Sequence, residues 1–371
     1  MSTSDMSHSD FASSSGSSSS ASSLSALDQL SKALLTKNSQ EVLSHCLGLS
    51  PLSNVPSLAD NTILICFDTE SWTSNHSAIT EIGVSTFDSR DMRALATPGL
   101  HGEHLLQQMY FYHARIQEHA HLLNIKFCVG NPDANRFGQT RFLKKEQARG
   151  MLKEMFAWPI DAEKPELGFC PVVVMGHALH GDMDLLRSAL GFDADALGTV
   201  VSVIDTQVLA RECGFTLRKQ IGLRDLVGLC GFQYRDAHTA SNDAAMTLIA
   251  AVQMVLPAAL KPDDGGLQHV LDRVETASQM QAWSWGDDLY CLRCGNYGHT
   301  KDDHGGRKCR AKVKCMHCAA SIKEKRRRAA GTHRTEVCIT FVLHGPELQD
   351  PYESGEDVAT RISRLGIGDR G

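Results

Sequence analysis

The chain has 371 residues, 42% of them apolar, with 37 basic side chains against 43 acidic ones, enough to bury a sizeable core and to hold more than one domain. No apolar run approaches the roughly 20 residues that a membrane helix needs, and the early acids Asp5 and Asp10, with the first basic residue at Lys32, speak against a secretory signal or an Arg-rich transit peptide. No membrane partner is expected, and scattered cysteines that read as reduced thiols suggest the cytoplasm, the nucleus or both.

Ser supplies 14 of the first 25 residues, too little apolar content to offset the entropy of ordering, so this tract is expected to be disordered. Leu27, Leu30, Leu34, Val42, Leu43 and Leu47 then recur at helical spacing and predict one or two amphipathic helices. Together these make a leader over residues 1–57. From about Leu58 the pattern becomes α/β. Strands are predicted over 63–67, 79–87, 124–130, 171–177 and 200–206, and helices over 142–156, 184–190, 222–230 and 241–256. Strands alternating with helices imply one layered α/β domain over 58–262. A helical linker (263–288), a Cys-rich module (289–342) and a tail (343–371) follow.

Two acids close the first predicted strand. "ILICFDTESW" runs from apolar residues into Asp68 and Glu70, and strand alternation puts both on one face with Thr69 on the other. Like charges that close are costly unless a cation lies between them, and a hard divalent ion suits oxygen ligands. Asp182 in "GHALHGDMDLL" sits at a strand-to-helix junction, and Asp243 in "HTASNDAAMTLIAAV" sits near a helix start. Both can reach the same sheet edge. His238 lies on the loop entering that last helix, and Asp184 competes with Asp182 for its place.

In this order and on these elements, the segments resemble the DEDDh (DnaQ-like) 3′–5′ exonucleases of the RNase H-like superfamily, in particular a fungal subgroup, over roughly residues 58–260. "FDTESWTSNHSAITEIGVSTFD" is similar to the first motif, "GHALHGDMDLL" to the second and "HTASNDAAMT" to the third. The resemblance implies an RNase H-like mixed sheet flanked by helices. It implies two Mg²⁺ or Mn²⁺ ions held by Asp68, Glu70, Asp182 and Asp243, with His238 as general base. The implied reaction is hydrolysis of RNA or DNA from the 3′ end to nucleoside 5′-monophosphates. Glu81 is expected to cap a backbone group or to meet the terminal ribose, and Asp205 to serve structure. Trp72 is either core or a platform for the terminal base.

The residues from Cys291 to Cys338 carry 13 Lys and Arg against 4 Asp and Glu, a basic segment on an otherwise acidic chain, which suggests an anionic polymer as partner. Six of the 12 cysteines crowd into it. Cys291, Cys294 and His299 resemble the opening of a CCHC zinc knuckle, with His304 or Cys309 as fourth ligand. Cys315, Cys318, His333 and Cys338 have the spacing of a second Cys3His set, so two Zn²⁺ ions are expected. Lys325, Arg326, Arg327 and Arg328 are candidate phosphate contacts, and Tyr297 can stack on an exposed base. Single-stranded RNA or DNA is the expected partner. The alternative is an adaptor that uses the exonuclease fold as a scaffold within an RNA-processing or silencing complex, with protein partners in RNA metabolism.

Overall fold

The computed structural model describes residues 24–300 and 309–339, so the serine tract and the predicted tail lie outside the described residues. Its centre is a six-stranded sheet of β1 (Ile63–Trp72), β2 (Asn75–Asp88), β3 (Tyr110–Ile116), β4 (Thr140–Leu143), β5 (Val172–Gly176) and β6 (Val200–Asp205). The strand order is β4-β3-β2-β1-β5-β6. β2 runs antiparallel to both of its neighbours, and the other contacts are parallel. This is the mixed RNase H-like sheet, and it sends the C-terminal ends of β1, β3, β4, β5 and β6 to one edge.

The strands are apolar on both faces because both are covered. Leu64 and Cys66 of β1, with Val173, Met175 and Ile204, face one layer. Helices α1 (Ala26–Leu34), α2 (Ser39–Cys46), α3 (Ser89–Ala94) and α4 (Glu103–Gln107) contribute to it, as do α7 (Thr206–Glu212), α8 (Leu223–Leu229), α9 (Ala240–Val255) and α10 (Gly266–Ser278). Ile63, Ile65 and Phe67 face the other layer, built by α5 (Lys145–Phe156), α6 (His180–Leu185) and the π-helical turn Leu186–Leu190. All of α9 is buried, which explains a helix apolar on every side.

The structure redraws several expected boundaries. Helices α1 and α2 share the core of α9 through Leu30, Leu34, Val42 and Leu43, and α10 does so through Leu267, Val270 and Leu271. The leader helices and the linker helix therefore belong to the folded unit. The strand predicted over 124–130 is a loop, and the third strand is Tyr110–Ile116 instead. Ile125, Phe127 and Val129 alternate with polar or small residues as a strand would, yet all three point into solvent. β4 occupies the start of the predicted 142–156 helix, and α5 begins only at Lys145. Among the described residues no helix is long and apolar enough to cross a membrane.

Candidate active site

β1 delivers two acids to its C-terminal end. Asp68 and Glu70 follow Leu64 and Cys66 in the alternation and so stand on the α9 face. Asp243, buried in the first turn of α9, lies with Glu70 and His238 in one group whose ligand atoms are all within 4.8 Å of one another. His238 Nδ1 is 3.7 Å from Glu70 Oε1, and its backbone N–H donates to Asp243 Oδ2 at 3.0 Å. Asp182 comes from α6 on the opposite face. Its Oδ1 accepts the Thr69 backbone N–H at 2.9 Å and the Thr69 hydroxyl at 2.5 Å. Thr69, the residue between the two acids of β1, thus ties the fourth acid to the same strand end. Asp184 points away, paired with His180 at 3.3 Å and Arg187 at 3.1 Å on the surface.

The four carboxyls burden one another. Burial, then the charges of Asp182, Asp243 and Glu70, hold Asp68 well above the usual carboxylate range. Burial raises Glu70 too, against the opposing pull of His238. Asp182 is pushed up to about 6, chiefly by burial and against its Thr69 hydrogen bonds. Burial and Glu70 push Asp243 up to about 7. Glu70 in turn raises His238 above the ordinary imidazole value, against the effect of burial. One carboxylate oxygen, Asp243 Oδ1, is buried with no hydrogen-bond partner. Such an oxygen within a cluster of acids fits a hard cation that would share it.

Close backbone approach makes this convergence possible. Gly83 of β2 pairs with Asp68, and a Cβ there would fall inside the backbone of Ala240 and Ser241. The start of α9 therefore lies directly on β2. Glu81, buried at 3% exposure, receives the Ala240 backbone N–H at 3.3 Å and meets His113 Nε2 at 2.9 Å, while His113 Nδ1 meets the Thr140 hydroxyl at 2.8 Å. Of its two expected roles, Glu81 therefore takes the backbone cap. A Cβ on Gly130 would likewise strike the His238 carbonyl, so the loop before β4 braces the histidine, which itself has a positive φ of 58°. Gly83→Ala is expected to cost roughly 1–3 kcal/mol by overpacking and to lower the melting temperature. An unchanged melting temperature would show that α9 is free to shift.

A family model described as DNA polymerase III subunit epsilon-like, C-terminal domain (DEDDh), matches residues 63–254, just over half of the chain. The chain belongs to the DEDDh family. Among curated proteins it is similar to the uncharacterized protein YDR514C of Saccharomyces cerevisiae, 21% identical over an alignment of 211 residues that covers 53% of this chain and 41% of that protein. The chain thus spans less than half the length of this relative. Among solved structures it is similar to exonuclease I in "The structure of exonuclease I suggests how processivity is achieved", at 13% identity and a TM-score of 0.33 over 52% of this chain and 40% of that one. The E. coli ExoI–ssDNA complex in its zinc-ion-bound form gives 12% identity and a TM-score of 0.32, over 53% of this chain and 41% of that one.

Beside the DEDDh site, the remaining sequence candidates fall in different places. Trp72 is buried against Ala78 and Leu122, so its ring faces are used in packing. Asp205 caps α7 through the Gln207 N–H at 2.8 Å. The Cys-rich residues form two groups whose ligand atoms are mutually within 4.8 Å: Cys291, Cys294, His299 and Cys309, and Cys315, Cys318, His333 and Cys338. His304 lies outside the described residues. All twelve cysteines are free of disulfides. Burial and neighbouring thiols push Cys294 up to about 11 and Cys318 up to about 12. Such clusters could hold zinc, which takes thiolate and imidazole tetrahedrally.

The module is docked rather than tethered. Phe142 of β4 exchanges backbone hydrogen bonds with Asp287, at 2.8 and 3.0 Å. Tyr290 packs on the Phe142 ring at 5.6 Å. Tyr297 donates to Gln117 Oε1 at 3.2 Å and lies 5.8 Å from Tyr290, so its hydroxyl is spent on the docking contact. His121, with neither ring nitrogen partnered, is held down to about 4 by burial and by His119 and His333. Arg334, Glu336 and Val337, beside the second cluster in sequence, line one cleft with Gln117 and Glu118, directly after β3. Lys325, Arg326, Arg327 and Arg328 are on the short helix α12 (Glu324–Ala329), which follows α11 (Met316–Ala320). Arg328 pairs with Glu324 at 2.5 Å, and Arg327 donates to the Ser321 carbonyl at 2.9 Å.

Proposed function

We propose that the protein is a divalent-metal-dependent 3′–5′ exonuclease that hydrolyses the terminal phosphodiester of RNA or DNA and releases nucleoside 5′-monophosphates. The single observation that carries this is the convergence of four carboxyls at one strand end in a DEDDh chain: Glu70 and Asp243 group with His238, Asp68 feels the charges of Asp182, Asp243 and Glu70, and Asp182 is bonded to Thr69. Asp68, Glu70, Asp182 and Asp243 are the residues that would hold Mg²⁺ or Mn²⁺. Two such ions, when bound, would stabilise the attacking and leaving oxygens of an in-line displacement at phosphorus.

The chain's own groups have distinct tasks. Thr69 fixes Asp182 by two hydrogen bonds and leaves its second oxygen for a ligand role. Glu70 lies beside His238 Nδ1 and orients the ring with its proton there. Nε2 is then the nitrogen that takes the proton from the attacking water. Glu81 and His113 hold the first turn of α9, and with it Asp243, against β2. The two Cys3His clusters would hold two zinc ions, and the basic module they shape would contact phosphates.

An oligonucleotide labelled at its 5′ end tests polarity and product together. Stepwise shortening from the 3′ end with mononucleotides carrying a 5′-phosphate is expected. Internal cuts, or 3′-phosphate products, would overturn the reading. Matched RNA and DNA oligomers assign the sugar. For the module, metal analysis after exhaustive Mg²⁺ removal is expected to return two equivalents of zinc. Stronger chelation is expected to unfold the segment, because metal binding and folding are coupled in so small a unit. Full retention of module structure without zinc would contradict this.

A further inference from the structure

One transverse row of the sheet joins the catalytic acids to the Cys-rich module. Glu70 of β1 is paired with Glu81 of β2, Glu81 with Arg115 of β3, and Arg115 with Phe142 of β4. Phe142 is bridged in turn to Asp287, at the entry to the module. Four strand spacings of about 4.8 Å put the module's entry roughly 19 Å from Glu70, along the edge where the acids stand. The loop after β3 lies along this edge. Asn124 bonds the β1–β2 hairpin, accepting from the Thr73 N–H at 2.8 Å and donating to the Ser71 carbonyl at 2.9 Å. Gly130 abuts His238 at the far end of the loop.

Between those anchors the loop presents an unusual surface. Ile125 is 87% exposed, Phe127 62% and Val129 59%, and the Lys126 ammonium lies 5.0 Å from the Phe127 ring centre. On the module, Arg310, Lys312 and Lys314 are exposed, while the intervening Ala311 and Val313 pack on the first Cys3His cluster. Alternation sets these three cations on one side, about 7 Å apart along an extended chain.

We infer that an unpaired nucleic-acid strand lies along this edge, its phosphates on the Arg310–Lys312–Lys314 row and its bases against Phe127 and its apolar neighbours, with its 3′ end at the acids. This inference rests on the exonuclease reading and adds the path of the strand beyond the acids, over the loop after β3 to the module. Charge complementarity selects the partner. A row of exposed cations on the module, with an exposed aromatic ring on the loop beside the acids, suits a polyanion with exposed bases, whereas a duplex hides its base faces from such a ring. At the 3.4 Å rise of a stacked strand, the 19 Å span corresponds to roughly six nucleotides.

The test uses the full chain with Mg²⁺ and single-stranded oligomers from the dinucleotide to about 20 nucleotides. In the wild type, kcat/KM is expected to climb with length and level off once the edge is spanned. Phe127→Ala is expected to lower the ratio of 20-mer to dinucleotide kcat/KM by about tenfold, the scale of one lost base stack. The triple reversal Arg310→Glu, Lys312→Glu, Lys314→Glu is expected to lower that ratio and flatten its salt dependence. A flat length series, an equal loss on both substrates, or a blunt duplex degraded as fast as the single strand would overturn the inference. Mononucleotide release from short oligomers would still stand in each of those cases, so the two readings fail separately. If no oligomer is cleaved, 20-mer binding by the same variants decides the inference, and undiminished binding overturns it.

Discussion

Asp243→Asn is expected to lower turnover by about 10³-fold while making the metal-free protein more stable at alkaline pH. The side chain holds one of four mutually repelling carboxyls, and its loss removes an anchor for charge stabilisation worth several kcal/mol in such sites. At 1.36 kcal/mol per decade this is on the order of 10³-fold in rate. The stability effect has a definite sign. Asp243 titrates at about 7 in the folded chain against an ordinary 3.8, so folding favours the protonated form. The metal-free protein therefore loses stability as pH rises from near 4 through 7, and nothing is lost below that window. Asn carries no such penalty. Melting curves without divalent ions should show the variant gaining over wild type at pH 8 and matching it at pH 4. Mg²⁺ should raise the melting temperature of the wild type more at pH 8 than at pH 5, and should do little for the variant. A variant less stable than wild type at pH 8 would show that Asp243 is held by something other than a cation.

His238→Ala is expected to reduce kcat by roughly 10²–10⁴-fold, the range of a well-placed general base, without weakening Mg²⁺-induced stabilisation by a comparable factor. The pH profile separates its role from a structural one. A base must be deprotonated to work, so wild-type activity should rise with pH through the imidazole titration, a limb displaced upward by the neighbouring Glu70. That limb should be absent in the variant. A persistent limb of unchanged midpoint would assign the proton transfer to another group.

The acids were readable in the sequence because each sits at a place that local pattern marks: a strand end, a strand–helix junction and a helix start. Their supports were not. Thr69 looked outward by alternation, yet Asp182 reaches it from the opposite layer, a contact no local pattern encodes. Gly83 stood within a recognisable motif, but its reason is tertiary, since α9 crosses it at backbone distance. His113 is not marked by local pattern, because it sits on Tyr110–Ile116 while the strand-like alternation falls at 124–130. That loop imitates a strand because exposed apolar residues alternate there, and alternation alone does not tell a buried face from a solvent-facing one. The place of the Cys-rich module depends on long-range contacts, Phe142 with Asp287 and Tyr297 with Gln117 among them, which leave no trace in either segment's composition. The Cys3His groups are legible from spacing, apart from the fourth ligand of the first: among the described residues Cys309 stands in that group, and His304 lies outside them.

The most direct test of the four-acid site is single-turnover release of mononucleotide from a labelled single strand, with Mg²⁺ and with EDTA, by the wild type and by Asp68→Ala. The site described here predicts release by the wild type with Mg²⁺ alone, and none by Asp68→Ala in either condition although the variant is folded. Release at the wild-type rate in EDTA, or by Asp68→Ala, would contradict it.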